Sequence, residues 1–137
     1  MIRRTILLLA TFAVVLHADT FQERMQAKLS EGTPAFKSDV IDCFDGNAKA
    51  CLNAGKYYSA EGYKEKCDPK QVGADVATFY KRACELGNAE GCTAYAMIYT
   101  ADMQKDPEKD ARYYFQKGCD GGDLSACTLL KMMPEDK

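Results

Sequence analysis

The stretch from Phe79 to Tyr99, FYKRACELGNAEGCTAYAMIY, contains the pattern that decides the fold. Apolar side chains recur in it, and just before it, at the three- and four-residue spacing of one helix face. Gly87 and Asn88 interrupt this spacing, because Gly suits the left-handed end of a helix and Asn caps the start of the next. Two helices joined by a tight turn are therefore predicted. The packed faces are Val76, Phe79, Tyr80, Ala83 and Cys84, then Ala89, Cys92, Tyr95, Ala96 and Tyr99.

The same plan occurs twice more, once on each side of this stretch. The earlier copy is IDCFDGNAKACLNAGKYY, from Ile41 to Tyr58, and the later copy is YFQKGCDGGDLSACTLLKMM, from Tyr114 to Met133. Corresponding cysteines of successive copies lie 41 and 35 residues apart, within the range of helical-hairpin repeats. The chain has 137 residues, a length typical of one domain, and this domain is predicted to be an all-α array of αα-hairpin repeats.

The N-terminus has the features of a secretory signal peptide. Two arginines precede an apolar run from Thr5 to Leu16, which is too short to span a bilayer, and Ala18 suits a cleavage point. We predict a signal peptide at residues 1–18, the alternative being an uncleaved N-terminal anchor. The mature protein is then predicted to be periplasmic or secreted, with no membrane span.

Removal of this segment changes the composition of the chain. The formal net charge falls from −2 to −4, and His17, the only histidine, is lost, whereas all seven cysteines remain. A net acidic chain argues against nucleic acid as a partner, since phosphate binding needs a basic face. The lack of histidine excludes a His-ligated zinc site and Cys–His or Ser–His–Asp catalysis, and no Cys-x-x-Cys spacing is present. No metal or cofactor is predicted.

Six of the seven cysteines form three pairs with the same separation of eight residues. In each predicted hairpin, one cysteine lies near the end of the first helix and the other in the first turn of the second, so the tight turn brings them within disulfide distance. Six buried free thiols are the alternative, which a cytosolic chain would favour, whereas an exported chain favours disulfides. The predicted bonds are Cys43–Cys51, Cys84–Cys92 and Cys119–Cys127.

Cys67 belongs to no such pair. It lies in the connection from Glu61 to Gly73, beside Lys64 and Lys66, whose charges favour the thiolate. We predict a free thiol that is unpaired or capped at the surface, or that links two chains in a disulfide dimer.

The predicted repeat domain covers residues 34–137 and follows an N-terminal helix within residues 19–33. Asp106 and Pro107 are expected to begin the third unit, as a cap followed by Pro at the first helical position. The predicted units span about residues 34–60, 74–101 and 106–134.

The pattern YKRACELGNAEGC…Y resembles the Sel-one-like repeat, a relative of the tetratricopeptide repeat. The Cys-x7-Cys pair in every copy makes the chain similar to the Helicobacter cysteine-rich protein family, over about Pro34 to Met133. The resemblance implies an exported, tetratricopeptide-like right-handed solenoid that is locked by disulfides. It also implies penicillin binding and weak β-lactamase activity, or a role as an adaptor that interacts with host cells.

The residues themselves provide no β-lactamase mechanism. A serine enzyme of that class needs Ser-x-x-Lys, and a zinc enzyme needs histidine ligands. No catalytic residue is therefore assigned, and enzyme activity depends on the resemblance alone. The first hypothesis is a scaffold that binds a β-lactam or a peptidoglycan-like peptide, and the alternative is a protein adaptor. The serines, none of which has Lys three residues later, are Ser30, Ser38, Ser59 and Ser125.

The tyrosines are the candidate ligand-binding residues. Helical solenoids bind extended ligands on a concave face, and exposed tyrosine is common at interfaces. Tyr58, Tyr80 and Tyr99 lie at repeated apolar positions and are expected to pack in the core. Packing explains three others less readily, and these are the predicted ligand-binding residues: Tyr57, Tyr63 and Tyr113.

Overall fold

The structure is a computed structural model that describes Phe21, Met25, Leu29 and residues 32–61, 69–100 and 109–135. It divides the chain into two compact units, residues 1–33 and 34–137. In the first unit, the three described residues before Gly32 are helical and lie four residues apart, at the spacing of one helix face. The predicted signal peptide lies outside the described residues.

The second unit contains six α-helices, and no β-strand occurs among its described residues. Each helix packs against the next one along the chain, so the described part of this unit is all-α, as the sequence predicts. Three short turns group the helices into a first, a second and a third pair, α1–α2, α3–α4 and α5–α6. Their bounds are α1 Pro34–Phe44, α2 Ala48–Glu61, α3 Pro69–Glu85, α4 Ala89–Thr100, α5 Ala111–Asp120 and α6 Leu124–Met132.

The turn within each pair has the same geometry. In the second pair, the Gly87 amide donates to the Cys84 carbonyl at 3.0 Å and the Asn88 amide donates to the Ala83 carbonyl at 2.9 Å. The Asn88 side chain then accepts a hydrogen bond from the Gly91 amide at 2.7 Å and caps α4. Glycine is required at the middle of the turn because φ is positive there, at 99°, 94° and 99° for Gly46, Gly87 and Gly122.

One disulfide crosses each turn. The bonds join Cys43 to Cys51, Cys84 to Cys92 and Cys119 to Cys127, with Cα–Cα distances of 4.5, 4.4 and 4.7 Å. These are the three pairs that the eight-residue spacing predicts. Disulfides form and persist in oxidising compartments, so three of them indicate that this chain folds in one.

Close contacts join the first pair to the second. A Cβ atom at Gly55 of α2 would lie 2.6 Å from Cε1 of Tyr80, so only glycine lets α3 approach this closely. The Tyr58 hydroxyl donates to the buried Asp75 carboxylate at 3.3 Å. Arg82 of α3 donates to the carbonyl of Cys43 at 3.1 Å and to that of Phe44 at 3.0 Å, which satisfies acceptors at the end of α1. The two pairs are therefore held by packing and by hydrogen bonds.

The core of the helical unit includes most of the residues that the apolar spacing predicts to be packed in the second pair. Burial raises the pKa of Tyr80, and the negative charge of Glu90 raises it further. Tyr99, also expected in the core, is only half-buried. The largest side chains in the core are Phe36, Val40, Leu52, Tyr58, Phe79, Tyr80, Tyr95, Tyr114 and Phe115.

Two helices begin at residues other than those expected. α3 begins at Pro69 and not near residue 74, because Pro is favourable at a first helical position, where no backbone N–H is needed. α5 begins at Ala111, so the expectation that Pro107 starts it is wrong. Asp110 is extended, with φ −88° and ψ 176°, and its side chain accepts a hydrogen bond from the Tyr113 amide at 2.8 Å. Asp110 is thus the N-cap.

None of the helices in the described part of the chain is both long enough and apolar enough to cross a membrane.

Candidate ligand-binding groove

A groove of about 470 Å³ lies along the exposed side of α5. Most of its described lining residues recur every three or four positions, which places them on one face of this helix. The described lining residues are Asp110, Arg112, Tyr113, Gln116, Lys117 and Asp120.

Tyr113 is the aromatic residue of the groove. Its side chain is 41% exposed, although it lies on a helix whose opposite face is buried. The ring packs edge-on against the buried ring of Tyr114, with centroids 5.1 Å apart, and the Lys109 ammonium lies 5.0 Å from its centroid. Contacts on two sides fix the orientation of the ring, so it offers a ligand a rigid surface.

The charged groups of the groove differ in their partners. Arg112 donates to the Pro134 carbonyl, and the Gln116 amide donates to the Asp120 carboxylate at 2.7 Å. The Lys117 ammonium pairs with no residue in the described part of the chain. The groove therefore presents one unpaired ammonium group a single helical turn from the Tyr113 ring.

The junction between α4 and the α5–α6 turn holds this helix in place. The Thr93 hydroxyl donates to the Asp123 carboxylate at 2.6 Å, and a Cβ atom at Gly118 would lie 2.6 Å from Thr93 Oγ1. Burial acts to raise the pKa of Asp123, but hydrogen bonds from Ser125, Thr93 and two backbone amides outweigh it and lower that pKa. Asp123 is therefore a charged anchor at the end of α5.

Of the three predicted ligand-binding tyrosines, two lie within the described residues, and their surroundings differ. Tyr113 lies in the groove. Tyr57 is half-buried in the first pair, and its ring stacks on Phe36 with centroids 4.6 Å apart, so packing accounts for much of its surface. Tyr63 and the predicted free thiol Cys67 lie outside the described residues.

The sequence reasoning missed the polar residues beside Tyr113. Arg112, Gln116 and Lys117 had no motif that marked them. The signal that would have found them is the three- and four-residue spacing of polar residues opposite the buried stripe of α5.

Two serine hydroxyls of the described residues donate to carboxylates. Ser38 bonds to Asp42, and Ser125 bonds to Asp123. Neither contact provides the lysine that a serine β-lactamase requires. No cluster of metal-binding side chains occurs within the described ranges.

Comparisons with protein-family models, with curated proteins and with solved structures give no match. The functional assignment therefore depends on the geometry of the groove and on the sequence.

Proposed function

We propose that this protein is an exported binding module, built as a right-handed solenoid of three disulfide-locked helical hairpins of the Sel-one-like type. Three turns with the same glycine conformation and the same disulfide support a repeated unit. The oxidising compartment that the disulfides indicate is the periplasm or the exterior of the cell.

The observation that carries the proposal is that Tyr113 and Lys117 line the same groove of α5. The Tyr113 ring is held in one orientation, and the Lys117 ammonium has no partner among the described residues. Together they form a site for a ligand that carries an apolar group next to an anion. A carboxylate is the anion expected, because it can accept several hydrogen bonds from the ammonium group. The ligand class is a short peptide or peptide-like molecule with a carboxylate.

β-Lactams and the peptide stems of peptidoglycan both belong to this class. Each combines a carboxylate with amide groups and an apolar portion. The resemblance to the Helicobacter cysteine-rich proteins leads to the same ligands by a separate route. We propose binding of such ligands, without a catalytic role for any residue of the groove.

Binding to the oxidised protein tests the proposal. The probes are a fluorescent penicillin and a synthetic stem peptide that ends in D-alanyl-D-alanine, both followed by fluorescence anisotropy. Lys117→Ala should weaken binding by about tenfold or more, the usual effect of losing a hydrogen bond to a charged group. Tyr113→Ala should weaken it as well.

The matched control is Lys49→Ala, which removes an exposed lysine of α2. It should leave binding unchanged, and circular dichroism should show that all three variants are helical. Absence of binding by the native protein, or equal binding by all variants, would refute the proposal. Turnover of nitrocefin by the native protein, lost in Lys117→Ala, would show that the groove is catalytic.

A second candidate function is that of a protein adaptor, and one observation favours it. Leu124 and Met132 of α6 are 78% and 75% exposed, which is unusual for large apolar side chains and typical of interfaces. Leu124→Ser together with Met132→Ser should abolish capture of a protein partner from an envelope extract while leaving penicillin binding intact.

A further inference from the structure

The three disulfides differ in their access to solvent. Cys43, Cys51 and Cys84 are 0% exposed and Cys92 is 2% exposed, so two of the bonds are enclosed by the fold. Cys119 and Cys127 are both partly exposed. Thiol–disulfide exchange requires a thiolate to reach one sulfur of the bond, so access controls its rate. The third bond is therefore the one open to attack.

The helix that this bond holds has little other support. Of the nine residues of α6, all of which the structure describes, only Ala126 is buried. Besides the disulfide, α6 is held by packing on α5, by its Asp123 cap and, just beyond its end, by the Pro134 carbonyl that accepts a hydrogen bond from Arg112. A helix of nine residues is too short to be stable in water without its contacts.

We propose that Cys119–Cys127 is a reducible clasp, which opens under a dithiol reductant while the other two disulfides stay closed. One thiolate of the dithiol attacks a sulfur of the bond, forms a mixed disulfide and releases the other cysteine as a thiolate, which takes up a proton. The second thiolate of the dithiol then attacks the dithiol sulfur of the mixed disulfide and releases the second cysteine as a thiolate, which also takes up a proton. The products are two cysteine thiols and the oxidised dithiol, so atoms and electrons balance.

Partial reduction tests the clasp without any ligand. Iodoacetamide first blocks thiols that are already free, then graded dithiothreitol is added, and N-ethylmaleimide labels each newly formed thiol before peptide mass mapping. We expect label on Cys119 and Cys127 in molecules that carry none on the other four paired cysteines. Label on either other pair first, or on all three pairs together, would overturn the clasp.

Hydrogen exchange of the same samples measures the release of the helix. Amides 126–132 should lose protection after reduction of the third bond, whereas amides 91–97 of α4 should keep theirs. Unchanged protection of α6 would overturn its release. Cys119→Ala with Cys127→Ala, an open clasp without any reductant, should show the same loss of protection.

The two proposals fail in different ways. Selective labelling of the third pair without penicillin binding by any form would support the clasp and refute the proposed function. Penicillin binding together with unselective labelling would support the proposed function and refute the clasp.

Discussion

The second and third helix pairs have the same type of turn but different surroundings. Both turns have a positive-φ glycine, a capping Asn or Asp and a disulfide between residues eight apart. The second pair packs between α2 and α5, and its disulfide is buried. In the third pair α5 packs on α4, while α6 packs mainly on α5. The same type of disulfide-bridged turn is thus buried in the second pair and accessible in the third, because the neighbouring helices, and not the turn itself, determine burial.

Removal of each disulfide should give the largest difference in stability between the second and third pairs. Cys84→Ala with Cys92→Ala should lower the free energy of unfolding by about 2 to 5 kcal/mol, the usual loss for a native bond in a small exported domain. The same change at Cys119 and Cys127 should cost about 2 kcal/mol, since α6 contributes little to the core. Urea unfolding measures both values. Equal losses would show that the two bonds are equivalent despite their burial.

Two glycine substitutions compare how tightly the second and third pairs are packed. A Cβ atom at Gly91 would lie 2.6 Å from Cβ of Ala83 and 3.1 Å from the Cys84 amide nitrogen, within a turn that cannot widen. Gly91→Ala should therefore destabilise the protein by about 1 to 3 kcal/mol, measured by thermal unfolding. A Cβ atom at Gly118 would lie 2.6 Å from the Thr93 hydroxyl and 3.1 Å from both Ala126 Cβ and the Ala89 carbonyl oxygen. The shortest of these contacts is with a hydroxyl that can rotate away, whereas Ala83 Cβ cannot move aside, so Gly118→Ala should cost less than Gly91→Ala. A larger loss at Gly118 would reverse the order of the two sites.

Two hydrogen bonds allow a third comparison. Tyr58→Phe removes a donor from Asp75, which is 1% exposed, and should cost about 1 to 3 kcal/mol. Thr93→Val removes a donor from Asp123, which is partly exposed and keeps its bonds from Ser125, so the loss should stay below about 1 kcal/mol. Chemical denaturation of both variants gives the two values, and the opposite ranking would contradict this account.

The smallest expected effect is a pH dependence at the third pair. The pKa of Asp123 is lowered in the folded protein, so the unfolded chain takes up a proton at a higher pH than the folded one does. The stabilisation of the fold by the Asp123 carboxylate is therefore complete above a pH of about 4, and it is lost as the pH falls through the lowered pKa of the folded state. After allowance for solvent screening, it should be less than about 1 kcal/mol.

Asp123→Asn provides the measurement, because asparagine can still cap α6. The difference in unfolding free energy between the native protein and this variant should be present at pH 7 and shrink towards pH 2. A difference that is constant with pH would show that the charge of Asp123 does not stabilise the fold.

The sequence predicts the turns and the cysteine pairs well because both depend on local chemistry. Gly87, Asn88 and the eight-residue spacing specify a turn whatever surrounds it. The starts of α3 and α5 were less predictable. Residues 70–73 have no apolar period that would reveal a helix, and Asp106-Pro107 carries the same capping signal as the true cap, Asp110.

The groove was predictable only in part. Tyr113 stood out because an aromatic residue lies outside the apolar stripe, and the structure leaves it exposed. The grouping of Arg112 and Lys117 with it depends on which face of α5 remains uncovered, which local spacing does not specify. Tyr57 shows the converse: it looked available in the sequence, but Phe36 on another helix covers its ring.

The separation of eight residues within each disulfide also governs how the protein can reach its oxidised state. For each of the six paired cysteines, the nearest cysteine along the chain is the native partner. Closing such a short loop is fast and has a small entropic cost, whereas wrong pairings require longer loops. Each hairpin can therefore be oxidised on its own, before the rest of the chain has folded. Local oxidation of this kind favours the native pairing over disulfide shuffling.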